Sequence, residues 1–415
     1  MSKYWDNMFI YKNNGVGNNK NNNDGVIIST EEPDTNQNNN ENKKIVLSNS
    51  LDNPETLEEV CSFISEHNKT ASGNTTLLLQ AELEKYLRLD SYWVLMRSNN
   101  GKLIGTIMAI PLSIKINGTK EIEEIEEIEE IEQNNKIITH GYTTFLNVHS
   151  IIRGHGMCMI LIKQLIKEGY DKNILCDYHL VPEKIGDNSV LINGWYRPLN
   201  LKKCVELGFV FPGYNNPKLL KRNKVKYNTN LPNKLLIQRI QRIQRITDRN
   251  IIVESFEIYK KFVNNKKFVW YPTLEEWTRW IKEIPTYIVY NKSNKENNKE
   301  KNKENNKENN KENNKENIIG IFSLGTINCV IEDKYKNSTL ANPLICVGKM
   351  EETLQALLYQ ANQNKFDSLY IYQCGDLSDY HLENIKAIKT TTSVYFSMYN
   401  NSIKLRKEDI SVPFL

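Results

Sequence analysis

The chain is predicted to be a mixed α/β protein that uses one plan twice. Two observations predict it. Apolar residues recur at helix and strand spacing in the same order (helix, hairpin, strand, helix, strand) on either side of residues 228–250. The most polar stretches are short-period tracts that lie between the patterned ones. Only 39% of the 415 residues are hydrophobic, but the shortfall sits in the tracts, so enough apolar chain remains for a sizeable core. The tracts are Asn-rich residues 12–44, a Glu-Ile-Glu repeat at 121–132, an Ile-Gln-Arg repeat at 237–246 and a Lys-Glu-Asn-Asn repeat at 294–317. They read as loops that have lengthened around a fixed core, because closing a longer loop costs little extra entropy. The halves are placed at 1–230 and 231–415.

In the first half, residues 56–68 and 77–89 have the spacing of amphipathic helices. Residues 92–97 and 102–110 read as strands around Asn99-Asn100-Gly101, a turn-forming triplet. A strand from Ile137 to Val148 leads to a helix with Met159, Ile160, Ile162, Leu165 and Ile166 on its apolar stripe, then a strand at 174–180 and a short helix at 199–207. In the second half, helices are expected at 251–263, 273–283 and 350–364, and strands at 286–290, 318–326, 368–373 and 394–399. The chain closes on the apolar run Ile410-Ser411-Val412-Pro413-Phe414-Leu415.

Composition excludes several classes. Lys plus Arg number 54 against 50 for Asp plus Glu, a net +4 too balanced for nucleic acid as the main partner. No stretch has the continuous apolar length of a transmembrane helix. Met1-Ser2-Lys3-Tyr4-Trp5 lacks the apolar segment of a secretory signal, so a cytoplasmic location is expected. The seven cysteines are scattered and the six histidines show no HExxH or HxH spacing, so reduced thiols and no metal are expected.

Chemistry concentrates in Phe145-Leu146-Asn147-Val148-His149, followed by Arg153-Gly154-His155-Gly156-Met157-Cys158. A buried strand feeds a glycine-containing loop that opens into a helix. Unused amides at a helix start, aided by the helix dipole, bind phosphate. Gly154 and Gly156 let the backbone approach closely, and Arg153 and His155 can add charge. A plain strand-to-helix turn has the same outline.

These segments resemble the glycylpeptide N-tetradecanoyltransferase (N-myristoyltransferase) family. Phe145-Leu146-Asn147-Val148-His149 with Arg153 is similar to its Phe-Leu-Cys-Val-His…Arg-Ser-Lys-Arg-x-Ala segment, and Leu161-Ile162-Lys163 to its Leu-Ile-Lys/Arg. Trp195-Tyr196-Arg197-Pro198-Leu199-Asn200 resembles Tyr-x-His-Arg-Pro-Leu-Asn, Tyr4-Trp5-Asp6 resembles Phe-Trp-Asp, and Gly105–Pro111 resembles Gly-Phe-Ile-Ser-Ala-Ile-Pro. Lys365-Phe366-Asp367 is similar to Gly-Phe-Asp. The loop departs from the family in trading a serine and two basic residues for Gly154, His155 and Gly156.

The resemblance implies two fused acyl-CoA N-acyltransferase (acetyltransferase-like) halves around a saddle-shaped mixed sheet, the first binding acyl-CoA and the second peptide. It implies transfer of a myristoyl group from myristoyl-CoA, as cosubstrate and with no permanent cofactor, to the N-terminal glycine of peptides or proteins by a monomeric enzyme. The main-chain N–H groups of Phe145 and Leu146 would form the oxyanion hole and the α-carboxylate of Leu415 would be the base. Lys3, Tyr4, Trp5, Phe145, Leu146, Asn147, Val148, Arg153, Gly154, His155, Gly156, Met157 and Cys158 would bind acyl-CoA, and Tyr196 the peptide. A transferase with another acyl or amine preference and a non-catalytic acyl-CoA or lipidated-peptide binder remain open alternatives.

Overall fold

The computed structural model describes residues 46–48, 54–68, 74–117, 137–186, 188–209, 227, 229–233, 235–240, 246–291, 318–331, 336–401 and 403–414. Lys3, Tyr4, Trp5, Leu415 and the tracts at 12–44, 121–132 and 294–317 lie outside the described residues.

The elements run β1 (Val46–Ser48), α1 (Pro54–His67), β2 (Asn74–Leu77), α2 (Gln80–Leu87), β3 (Tyr92–Arg97), β4 (Leu103–Ile116), β5 (Ile137–Val148), α3 (Met157–Asp171), β6 (Cys176–Val181) and β7 (Val190–Pro198). They continue with α4 (Leu201–Glu206), β8 (Leu235–Ile240), α5 (Ile246–Val263), β9 (Phe268–Trp270), α6 (Leu274–Glu283), β10 (Thr286–Asn291), β11 (Ile318–Ile331) and β12 (Lys336–Gly348). Last come α7 (Met350–Gln363), β13 (Ser368–Tyr372), α8 (Asp379–Asn384), β14 (Ile388–Tyr399) and β15 (Ile410–Ser411).

Two compact units form, each from three segments. Unit 1 holds Met1–Ile192, Asn328–Tyr335 and Thr392–Lys407; unit 2 holds Asn193–Ile327, Lys336–Thr391 and Glu408–Leu415. Where the sequence reading divides the chain once, at residue 230, the units first divide it after Ile192 and then exchange strands.

In unit 1 the sheet order is β1-β3-β4-β5-β6-β14. The neighbours are antiparallel except β5 and β6, which are parallel and joined through α3. The strand beside β6 comes from the far end of the chain, with Tyr395–Tyr399 opposite Val181–Asp177. Leu161 and Leu165, one helical turn apart on α3, are buried against Val94, Met96, Ile107 and Ala109 of β3 and β4. Burial of each such leucine contributes about 2 kcal/mol, which fixes α3 over the sheet.

In unit 2 the order is β7-β13-β12-β11-β10-β8, and β12 and β13 are the parallel pair, joined through α7. The strand beside β13 is β7, from the first half of the chain, with Pro198–Gly194 antiparallel to Ser368–Tyr372. Leu354, Leu357 and Leu358 of α7 pack into a core with Trp195, Tyr287, Val289 and Ile371. Trp270, Trp277, Trp280 and Tyr259 form a second nucleus between α5, β9 and α6, with Trp277 Nε1 donating to Ser255 Oγ at 3.1 Å.

The expected helices and strands are present with end shifts of a few residues. Strands β1, β2, β7, β8, β9 and β12 and helix α8 were not anticipated. The Ile-Gln-Arg tract is also corrected in part. Ile237–Ile240 continue β8 and pair with β10, anchored by fully buried Leu235. A period of three cannot sustain a helical face, but four residues of an edge strand need only one firmly buried neighbour. Among the described residues no helix is long and apolar enough to cross a membrane.

Candidate active site

The Phe145–Val148 segment is irregular where chemistry was expected. Thr106 pairs with Asn147 and Met108 with Thr144, so Ile107 alone faces both Phe145 and Leu146. That is a β-bulge, which takes the extra residue out of the ladder and re-aims its peptide groups. Phe145 adopts φ +52°, the left-handed region that an aromatic residue seldom occupies. Its neighbours hold it there. The ring stacks on Trp93 at 6.0 Å and meets Tyr86 at 5.8 Å, and its carbonyl accepts from Thr106 Oγ1 at 3.0 Å. Asn147 and Val148 are buried, whereas Leu146 is 38% exposed.

Parallel pairing of β5 with β6 runs from His140–Cys176 to Thr143–His179 and stops there, although both strands continue. The strands therefore part just before the bulge.

After β5 the chain makes a one-turn 3₁₀ segment, with the His149 ring accepting from Ile151 N at 3.4 Å. Arg153 Nε donates to Val148 O at 3.0 Å and Nη2 to His67 O at 2.6 Å. Its guanidinium thus holds the loop to the C-terminal carbonyl end of α1, where cations belong. Gly154 and Gly156 have φ +82° and +78°, and a Cβ added at either would meet nothing within 4 Å. Glycine is needed there for the backbone turn, and the space above it is open. Gly156 is the N-cap of α3, without a side-chain cap and without an acidic residue in the first turn. The first amides of this helix therefore face neither a capping side chain nor a carboxylate of the first turn. His155 is exposed, its Nδ1 3.1 Å from Arg153 O. Burial raises the Cys158 thiol above its ordinary pKa. It lowers that of the His67 imidazole, 4.5 Å from the His149 ring, with the fields of His149 and Arg153 adding to the effect.

Unit 2 carries the corresponding feature in a different state. Pairing of β12 with β13 covers Leu340–Ser368 and Ala341–Leu369 only. Beyond it, Asn342 Nδ2 donates to Phe414 O at 2.8 Å, and the Phe414 ring meets Tyr372 edge-on at 5.8 Å. Val412 and Phe414 are 6% and 3% exposed, so the chain's own last described residues fill this fork.

Tyr196, expected near peptide, is buried in unit 2. Its hydroxyl donates to Cys204 Sγ at 3.1 Å, its ring packs on Phe209, and burial raises its pKa. Asp367, from the Lys365-Phe366-Asp367 motif, is a structural hub: its carboxylate accepts from Lys203 Nζ at 2.7 Å and Thr339 N at 2.9 Å.

One polar cluster beside the bulge escaped the sequence reading. Asp177 and His179 share a face of β6, with His179 Nδ1 3.0 Å from Asp177 Oδ1 and Thr143 Oγ1 donating to Asp177 Oδ2. Asp-x-His on an expected strand is the signal that could have found it, since alternate residues share a face.

A parallel strand–helix–strand unit that forks beside a bulge, with an uncapped glycine loop at the helix start, defines a class: this chain has the acyl-CoA N-acyltransferase fold. More particularly, it is similar to solved structures of Saccharomyces cerevisiae N-myristoyltransferase. One with bound myristoyl-CoA matches with TM-score 0.70 and 16% identity over 89% of this chain and 89% of that one. A second with myristoyl-CoA matches with TM-score 0.67 and 16% identity over 89% and 82%. A third, with myristoyl-CoA and inhibitors, matches with TM-score 0.68 and 15% identity over 89% and 87%. No protein-family model matches the sequence, and no curated protein does.

Proposed function

We propose that the protein is an acyl-CoA N-acyltransferase that moves a myristoyl group from myristoyl-CoA to the N-terminal glycine amine of target peptides or proteins. The observation that carries the reading is the juxtaposition, within unit 1, of a strand bulge at Phe145–Leu146 and an open, acid-free helix start at Gly154–Cys158. The likeness to the yeast N-myristoyltransferase structures supports the choice of myristoyl-CoA over other acyl donors.

In this reading the diphosphate of CoA lies on the first amides of α3, at Gly156, Met157 and Cys158, with Gly154 leaving room and exposed His155 adding positive charge when protonated. Arg153 acts by holding the loop to α1. By the family resemblance Lys3, Tyr4 and Trp5 also contact the acyl-CoA. The amine attacks the thioester directly, and the N–H groups of Phe145 and Leu146 stabilise the oxyanion. Loss of one such donor costs about 3 kcal/mol of transition-state stabilisation. An N-terminal amine, with a pKa of about 8, must first lose a proton. The α-carboxylate of Leu415 takes it. Residues 231–415, the C-terminal half of the sequence, supply the peptide side.

The test is acyl transfer by the full chain from myristoyl-CoA to a Gly-starting octapeptide. Acetyl-CoA, an Ala-starting peptide and a variant extended after Leu415 serve as comparisons. Myristoylation of the Gly peptide alone, lost in the extended variant, supports donor, acceptor and base together. Myristoyl-CoA binding with no transfer overturns the enzyme reading and leaves an acyl-CoA binder.

A further inference from the structure

His179 and Asp177 have no place in that mechanism, yet they stand beside it. Strand alternation sets both on one face of β6, and Thr143 of β5 ties the far carboxylate oxygen, so Asp177 is held at both ends. A cross-link between β5 and β6 would need only the Thr143–Asp177 bond. The imidazole is additional. Its Nδ1 faces the carboxylate, and among the described residues its Nε2 has no hydrogen-bond partner. The side chains of His179 and Asp177 are 18% and 20% exposed, so the pair borders a surface. His179 lies on the last rung before the strands part, and Phe145 is two residues further along β5, about 7 Å of strand.

A histidine held through Nδ1 by a carboxylate exchanges protons at Nε2. Thioester aminolysis needs such an exchange. Attack forms the C–N bond and moves the carbonyl pair onto oxygen. Collapse restores C=O, breaks C–S and leaves the pair on sulfur. The nitrogen must shed one proton and the sulfur gain one. We propose that His179 carries that proton: Nε2 takes it from the nitrogen of the tetrahedral intermediate and delivers it to the departing CoA sulfur, which leaves as thiol. The imidazole ends as it began. Asp177 is a positioning residue that fixes the ring's tautomer and direction. This inference rests on the acyltransferase reading above. The proton it moves is a second one, released after the amine has already been neutralised.

The experiment compares wild type, His179→Ala and Asp177→Asn full chains for thiol release from myristoyl-CoA, with and without the Gly-starting peptide. Expected for His179→Ala is a kcat about 100-fold lower, with the KM for myristoyl-CoA changed by no more than about twofold. Added imidazole should recover about tenfold in that variant and nothing in wild type. Asp177→Asn should lower kcat and show no imidazole rescue, since its ring is present but misdirected. Equal kcat in wild type and His179→Ala overturns the dyad alone. So does a loss that imidazole leaves untouched and that comes with weaker myristoyl-CoA binding or a lower melting temperature, which would mark a strut. A wild type that binds myristoyl-CoA and releases no thiol with any acceptor overturns the acyltransferase reading, and this inference with it.

Discussion

The two parallel forks of the molecule end alike and begin differently. Helix α3 closes with Asn173 at φ +59°, Asn173 N bonded to Tyr170 O and Ile174 N to Gly169 O. Helix α7 closes with Lys365 at φ +62°, Lys365 N bonded to Asn362 O and Phe366 N to Ala361 O. Both are the same left-handed termination with an apolar residue just beyond it. At the other end, α3 starts from a long loop with open space above its glycines and no acid in the first turn. Helix α7 follows β12 almost directly through Gly348 (φ +105°), where an added Cβ would meet Ile319 O at 2.3 Å, and it places Glu351 and Glu352 in its first turn. Two carboxylates satisfy a helix dipole internally and repel a phosphate. One strand–helix–strand plan therefore leaves its helix start open and acid-free in α3, and crowds it at Gly348 and charges it with two glutamates in α7.

The largest expected effect breaks the closed copy. Gly348→Ala should destabilise the protein by about 4 kcal/mol, from overpacking of up to ~3 kcal/mol plus ~1 kcal/mol for a left-handed L-residue. Gly154→Ala, in open space, should cost only that last ~1 kcal/mol. Denaturant titration of both variants measures the difference, and similar losses would contradict the contrast.

Acid should loosen unit 1 first. His140 on the first rung of its fork is 0% exposed, with Nδ1 3.2 Å from Ile138 O and Nε2 3.3 Å from Asn401 Nδ2. Burial lowers its pKa from 6.5 to about 4. Between those values the unfolded chain binds more protons than the folded one, so stability is complete above pH 6.5 and is lost as pH falls towards 4. The loss reaches about 3 kcal/mol. His67, lowered in the same direction, adds to it. The only histidine of unit 2 is His381, which is not buried. Hydrogen exchange at pH 7 and pH 5 should show protection falling in β5 and β6 before β12 and β13; the reverse order would refute the assignment.

Giving α3 the acid of α7 should separate binding from stability. His155→Glu is expected to weaken myristoyl-CoA binding about tenfold while stabilising the helix by about 0.5 kcal/mol, read by calorimetric titration and thermal melting. Glu351→Gln with Glu352→Gln should lower stability by about 1 kcal/mol and create no myristoyl-CoA site, because the Gly348 turn leaves no room. The smallest effect lies at the matching ends. Lys365→Gly should stabilise by at most about 1 kcal/mol, and Asn173→Gly by less, since asparagine tolerates the left-handed region.

The contrast between the helix starts was half legible. The glycines of Arg153-Gly154-His155-Gly156 mark the turn that opens α3, and the apolar spacing of α3 marks the face that packs on the sheet. The role of Arg153 was not legible, because its acceptors, Val148 O and His67 O, are main-chain atoms that no residue type reports. The burial of Tyr196 was not legible for a related reason. Its burial depends on α4 and on Asp367, which is 171 residues away in the chain.

Local order was determined by the sequence alone. Periodicity set the helices and most strands, glycines marked the turn before α3, and the polar tracts separated what packs from what does not, because each of these depends on residues within one or two turns of each other. Tertiary structure decided the rest. It placed β14 beside β6 and β7 beside β13, matched Ile107 against two residues of β5, and brought Thr143 to Asp177. Those are choices of partner among strands of similar pattern, and they are made by backbone pairing and burial over long separations, where one residue of register decides which side chains face the same opening.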